Sequence, residues 1–119
     1  MIIKKIKDID AFEGNEGTQI KQIISPIETN NAIRYSMAHC TISPGKNSRP
    51  HIMKTSEVYY ILQGEGIMHV DSETEQVNQN DLIFVPPMSK QFLENNGERD
   101  LTVLCIVDPA WKQEDEILE

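Results

Sequence analysis

The sequence has little cysteine, little positive charge and no long apolar run. Its only cysteines, Cys40 and Cys105, form neither a CxxC nor any other metal-ligand spacing. That excludes a disulfide-stapled scaffold, and because each thiol falls inside an apolar, strand-like run, both are expected as buried free thiols. Eleven basic residues face nineteen acidic ones, for a formal charge of −8, and no basic run is longer than Lys4–Lys5. Such a chain repels phosphate backbones and anionic headgroups, so neither nucleic acid nor a membrane surface is an expected partner. The longest apolar runs, Leu82–Val85 and Val103–Val107, fall far short of the roughly 20 residues that a membrane span needs. The opening MIIKKIKDID lacks the apolar stretch of a signal peptide, so the chain is expected to be cytoplasmic. Glycine and proline number 6 each, and no segment repeats another, which excludes collagen-like, low-complexity and tandem architectures. Ser-His-Asp order, a nucleophile elbow and a phosphate loop are also missing, leaving hydrolase and nucleotide-binding readings without support.

What remains is a 119-residue chain with 39% apolar and 25% charged residues, read as one globular domain over residues 1–119. At this size about two-thirds of the unfolded surface is removed on folding, so a core forms without an obligatory staple. Apolar residues recur at short spacing among β-branched and aromatic neighbours, with turn residues every ten or so positions, the pattern of many short strands. The expected strands are Ile2–Ile6, Gln19–Ile24, Ile33–Ile42, Glu57–Leu62, Ile67–Asp71, Glu75–Val77, Leu82–Val85, Gln91–Glu94 and Leu101–Val107. Pro44-Gly45 suits a type II turn, and Asn96-Gly97 suits a type I′ hairpin joining the last two strands. The apolar face of Ile33–Ile42 switches partway, which predicts a bulge or bend near Met37. Ala110–Glu119 follows a proline and is read as a short helix anchored by Trp111 and Leu118, although acids near its end oppose the dipole.

One segment carries chemistry. From Gly45 the chain runs five residues to His51, skips one to Met53, then three to Glu57 and six to Gly64. In this spacing it resembles the first motif of the cupin superfamily, with Met53 in place of the second histidine. The second motif is matched only by Pro86 and Asn95, while Asn80, Met88 and Gln91 stand where the family has glycine, glycine and histidine. The resemblance implies an all-β double-stranded β-helix, a jelly-roll barrel, and a divalent cation such as Mn, Fe, Ni or Zn. Carried over by position, the metal ligands would be His51, Glu57 and Gln91. Residues two apart on a strand share a face, so positions 51 and 53 look into the barrel, with Glu57, Tyr59 and Ile61 on one inward face of the next strand. Met53 offers a soft thioether that hard divalent ions take poorly, and Gln91 only a neutral amide oxygen. An alternative for the same residues is a hydrogen-bonded His51–Glu57 pair completed by Gln91 inside a drier barrel. Replacement of the lost histidine would have to come from His39 or His69, both of which strand parity turns outward.

Met53, Tyr59, Arg49 and Met88 complete the expected ligand pocket. Tyr59 either addresses a ligand or closes the pocket floor, and Arg49, Lys54 and Lys90 either rim the mouth for a carboxylate or sugar phosphate or are solvated surface. Two functions follow from the resemblance. One is a metal-dependent cupin binding a small polar molecule, a sugar or carboxylate, with isomerase- or oxygenase-like chemistry. The other is a non-enzymatic, metal-free binding or sensing module, favoured by Met53, Met88 and Phe92 beside the altered motif positions. The resemblance also implies a homodimer, and Ile2–Ile6, which lacks a hairpin partner in sequence, is expected to add to a neighbour's sheet.

Overall fold

A computed structural model describes residues 1–118. Eleven strands follow in order: β1 (Phe12–Glu13), β2 (Thr18–Ile24), β3 (Ser36–Ile42), β4 (His51–Met53), β5 (Ser56–Gln63), β6 (Glu65–Val70), β7 (Glu73–Asn78), β8 (Leu82–Val85), β9 (Lys90–Glu94), β10 (Leu101–Asp108) and β11 (Glu116–Leu118). They form two antiparallel sheets, ordered β1-β2-β3-β10-β5-β8 and β11-β4-β9-β6-β7. The alternation of apolar residues sets which side faces inward. Along β5 the buried residues are Glu57, Tyr59 and Ile61, and along β10 they are Leu101, Val103, Cys105 and Val107. The opposite sheet answers with Met68 and Leu93, so the core lies between the sheets. Ile61 and Leu93 are fully buried. Each such side chain stabilises the fold by roughly 1.5–3 kcal/mol.

Turns set how the sheets join. Pro44-Gly45 makes its expected turn, with Gly45 at φ +77° and the Lys46 amide donating to the Ser43 carbonyl at 3.1 Å. Gly64, at φ +93°, reverses the chain between β5 and β6, where a Cβ would lie 2.6 Å from the Asp100 carbonyl oxygen. The irregularity expected near Met37 lies opposite it: the β2–β3 register shifts between Gln22 and Ile24, which pair with Ala38 and Met37.

Four expectations are corrected. Residues Ile2–Ile6 form no strand, because β1 already occupies the free edge of β2 through Phe12↔Ile20 and Glu13↔Gln19. That terminal segment is instead strapped to the barrel by Lys4 Nζ on the Ile23 carbonyl at 2.6 Å and Lys21 Nζ on the Ile6 carbonyl at 2.9 Å. Residues Ile33–Tyr35 precede β3 rather than start it, since Asn30 and Asn31 turn the chain with φ of 54° and 63° just before. Asn96-Gly97 is no hairpin, because β9 and β10 belong to different sheets and neither residue has a positive φ. There, buried Asn95 organises the crossing: its Nδ2 donates to the carbonyls of Ile42 (2.8 Å) and Arg99 (2.7 Å), and its Oδ1 accepts from the Gly97 amide. Finally, the expected C-terminal helix is a 3₁₀ turn at Gln113–Asp115 followed by strand β11. Its acids oppose a helix dipole and β4 offers an open edge, so Ile117 pairs with Ile52 instead. Glu119, the last residue of that expected helix, lies outside the described residues.

Candidate ligand cavity

Between the sheets, toward one end of the barrel, opens a cavity of about 640 Å³. Its apolar walls are Ala38, Cys40 and Ile42 of β3, Val103, Cys105 and Val107 of β10, Met53 of β4 and Leu93 of β9; Thr18, Gln22, Ser36 and Ser48 add polar groups, and one cluster gathers ionisable side chains. That cluster is His51, Glu57 and Tyr59, with Arg49 at the mouth. Short strand β4 presents His51, Glu57 comes from the inward face of β5, and β11 brings Glu116 and Leu118 alongside.

Both ring nitrogens of His51 face acceptors. Nδ1 lies 2.9 Å from the Arg49 carbonyl oxygen, and Nε2 lies 3.6 Å from Glu57 Oε1. Burial of the ring favours its neutral form, but the Glu57 carboxylate, the Arg49 carbonyl and the more distant Glu116 outweigh it and raise the pKa above 6.5. Tyr59 moves the same way for a different reason: burial, then the neighbouring Glu57 carboxylate and the two cysteines, push its hydroxyl well above 10.0. That hydroxyl donates a short hydrogen bond to Gln91 Oε1. Gln91, 1% exposed, thus stands behind Tyr59 rather than on the cavity wall, its one acceptor oxygen engaged.

Of the expected pocket residues, Met53, Tyr59 and Arg49 line the cavity. Met88 does not: its side chain is exposed, and its backbone amide reaches back to the Met53 carbonyl at 2.7 Å. Lys54 and Lys90 do not line it either. His39 sits on the outer face, where burial and Lys21 lower its pKa. His69 stacks on Phe92 at 4.1 Å and meets Glu94 Oε1 at 3.1 Å. Sequence reading missed Trp111, Glu116 and Phe12 as lining residues. Its one usable signal was the alternation Glu116-Ile117-Leu118, which suits a strand but does not name β4 as its partner.

A protein-family model described as Cupin domain matches residues 38–107. The chain is a cupin. An uncharacterized protein of Methanocaldococcus jannaschii is 35% identical to this cupin over 99% of the chain and 96% of the relative. The oxalate-binding protein of Thermotoga maritima is 27% identical over 83% of each chain. Among solved structures, that of a predicted oxalate decarboxylase from Thermotoga maritima superposes with a TM-score of 0.81 at 22% identity, covering 91% of this cupin and 99% of that chain. Asn80 and Met88, at the family's glycine positions, both hold left-handed backbone with φ of 74° and 69°.

The donor set departs from the four-ligand centre that the resemblance implies. His51 and Glu57 are suitable ligands, but Met53 presents a thioether and Gln91 is bonded to Tyr59. Among the described residues no group of three or more His, Cys, Asp or Glu is placed to hold an ion. The residues as placed do not fit a resident metal.

Proposed function

We propose that this cupin is a binding module for a small monocarboxylic acid with an apolar body, taken into the barrel without a resident metal. The observation that carries it is Arg49: this exposed residue lines a largely apolar cavity, and its guanidinium has no partner among the described residues. Of the other ionisable lining residues, His51 faces Glu57 and Glu116 accepts from Trp111 Nε1, so Arg49 is the fixed cation that a carboxylate meets, with a planar fork suited to its two oxygens. The volume lies within the range of small-molecule sites and far exceeds what oxalate alone would fill. The names of two relatives, oxalate-binding protein and predicted oxalate decarboxylase, point to the same functional group.

Calorimetry with hexanoate tests it. Charge-assisted bonds contribute about 1.5–3 kcal/mol, so Arg49→Ala is expected to weaken binding by roughly tenfold to a hundredfold. Equal affinity in wild type and Arg49→Ala would overturn the assignment.

A second reading is favoured by the facing pair itself. An imidazole fixed by a carbonyl at Nδ1, with Nε2 turned toward a carboxylate, is also how metal-binding histidines are held. In that reading a divalent ion sits with His51 and Glu57, Gln91 turns from Tyr59 to join them, and the function is isomerase- or oxygenase-like. Near-stoichiometric Mn²⁺, Fe²⁺, Ni²⁺ or Zn²⁺ retained by wild type and lost in Glu57→Ala would establish it.

The homodimer is carried forward as a proposal with a different contact. With Ile2–Ile6 outside the sheets, the contact is assigned to β8, one of the four edge strands, where Leu82 and Phe84 are exposed. Light scattering is expected to give twice the chain mass in wild type and the single mass in Phe84→Lys; a single mass for wild type removes the dimer.

A further inference from the structure

We infer that Cys40 and Cys105 are a redox-active dithiol built into the cavity wall. The two stand on adjacent strands, β3 and β10. Cys40 is opposite Val103 and Cys105 is opposite Ala38, so the cysteines are diagonal neighbours on the inward face. Their sulfurs lie 3.8 Å apart and both residues line the cavity. A disulfide requires about 2.05 Å, and for a diagonal pair side-chain rotation together with a small approach of the two strands is the motion that closes the gap. Neither thiol is needed to complete a motif, and the carboxylate reading uses neither, so the inference stands apart from it.

The environment divides the roles. Cys40 is half-buried and the more accessible to a small oxidant entering the mouth, whereas Cys105 is buried. The hydrogen bond with Cys40, burial and the nearby Glu57 carboxylate hold the Cys105 thiol well above 9.0, so Cys105 keeps its proton at rest. With hydrogen peroxide as oxidant, the Cys40 thiolate sulfur attacks one peroxide oxygen. The O–O bond breaks, and the leaving hydroxide takes up the proton that Cys40 released, giving water and a sulfenic acid on Cys40. The Cys105 sulfur then attacks the Cys40 sulfur, the S–O bond breaks, and the departing hydroxide leaves as water with the Cys105 proton. Two thiols and one peroxide become one disulfide and two waters, with two electrons passing from sulfur to oxygen. Glu57, beside Cys105, is placed to take the thiol proton during the second attack. Oxidation removes a hydrogen-bond donor from beside Glu57, so the two redox forms present different walls to a ligand.

The test is thiol counting and intact mass on the folded wild-type chain after a modest excess of hydrogen peroxide, with the same treatment in urea as reagent control. The expected product is a monomer lighter by two hydrogens, with both thiols lost together, a Cys40–Cys105 cross-linked peptide, and full recovery on dithiothreitol. Cys105→Ser should instead stop at an oxygen adduct on Cys40 that a sulfenic-acid probe captures. Three results would overturn the inference: two free thiols persisting in the folded protein, a disulfide between chains, or accumulation of sulfinic acid in wild type.

Discussion

With a carbonyl oxygen 2.9 Å from Nδ1 and a carboxylate oxygen 3.6 Å from Nε2, His51 sits among acceptors that favour the imidazolium. Glu57 on β5 and Glu116 on β11 are the carboxylates that favour that form, against the cost of burial. Because its pKa is raised on folding, the pair's stabilisation is complete below the unfolded value near 6.5 and is lost as pH rises through the higher folded value. Urea unfolding across this window should therefore show wild type losing stability on the alkaline side, with Glu57→Gln much flatter; parallel curves would remove the pair as the cause. Tyr59 makes a different contribution. Replacing it by Phe leaves buried Gln91 Oε1 without its donor, a loss of about 1–3 kcal/mol measurable by denaturant titration. The spacing from Gly45 to Gly64 made His51, Glu57 and Tyr59 legible from sequence, since strand parity alone turns Glu57 and Tyr59 to one face. Gln91 was legible as an inward residue but not as one whose oxygen is already engaged, because that depends on a bond between different sheets.

At the scale of elements, the short strands decide the site. β4 contributes only His51–Met53, and it is held from both sides by β9 and β11. The turn before β9 adds the Met88 amide on the Met53 carbonyl. A bulky residue at φ 69° is strained there, so Met88→Gly is expected to stabilise the fold by about 0.5–1 kcal/mol while leaving the cavity lining intact. β11 places the lone tryptophan as a reporter. Trp111 lines the cavity, with its Nε1 donating to Glu116 at 3.0 Å, so ligand entry should shift its fluorescence. The same titration with Trp111→Phe should be silent. The long strands were readable because alternation over five or more residues fixes their inward face. β1, β4 and β11 were not separately identified as strands, since two or three residues carry no period and are defined by the partner they join. The Asn96-Gly97 expectation failed for a related reason: local turn chemistry was outweighed by Asn95, whose three hydrogen bonds commit the segment to a crossing between sheets.

Over the whole molecule the net charge is −8, and Arg49, whose guanidinium has no partner among the described residues, is the one lysine or arginine lining the cavity, a local reversal suited to drawing in a single carboxylate. No helix among the described residues is long and apolar enough to cross a membrane. Fold and family were accessible from one nearly intact motif, whereas the nature of the pocket depended on how Met53, Gln91 and the thiols meet across strands. Calorimetric titration of hexanoate into chelator-treated protein, repeated after Mn²⁺ and Zn²⁺ loading and with Arg49→Ala, tests the metal-free carboxylate site most directly. Saturable binding near one per chain without added metal, unchanged by loading and weakened at least tenfold in the variant, is the expected result. Binding that appears only after metal is added, or that ignores Arg49, would contradict it.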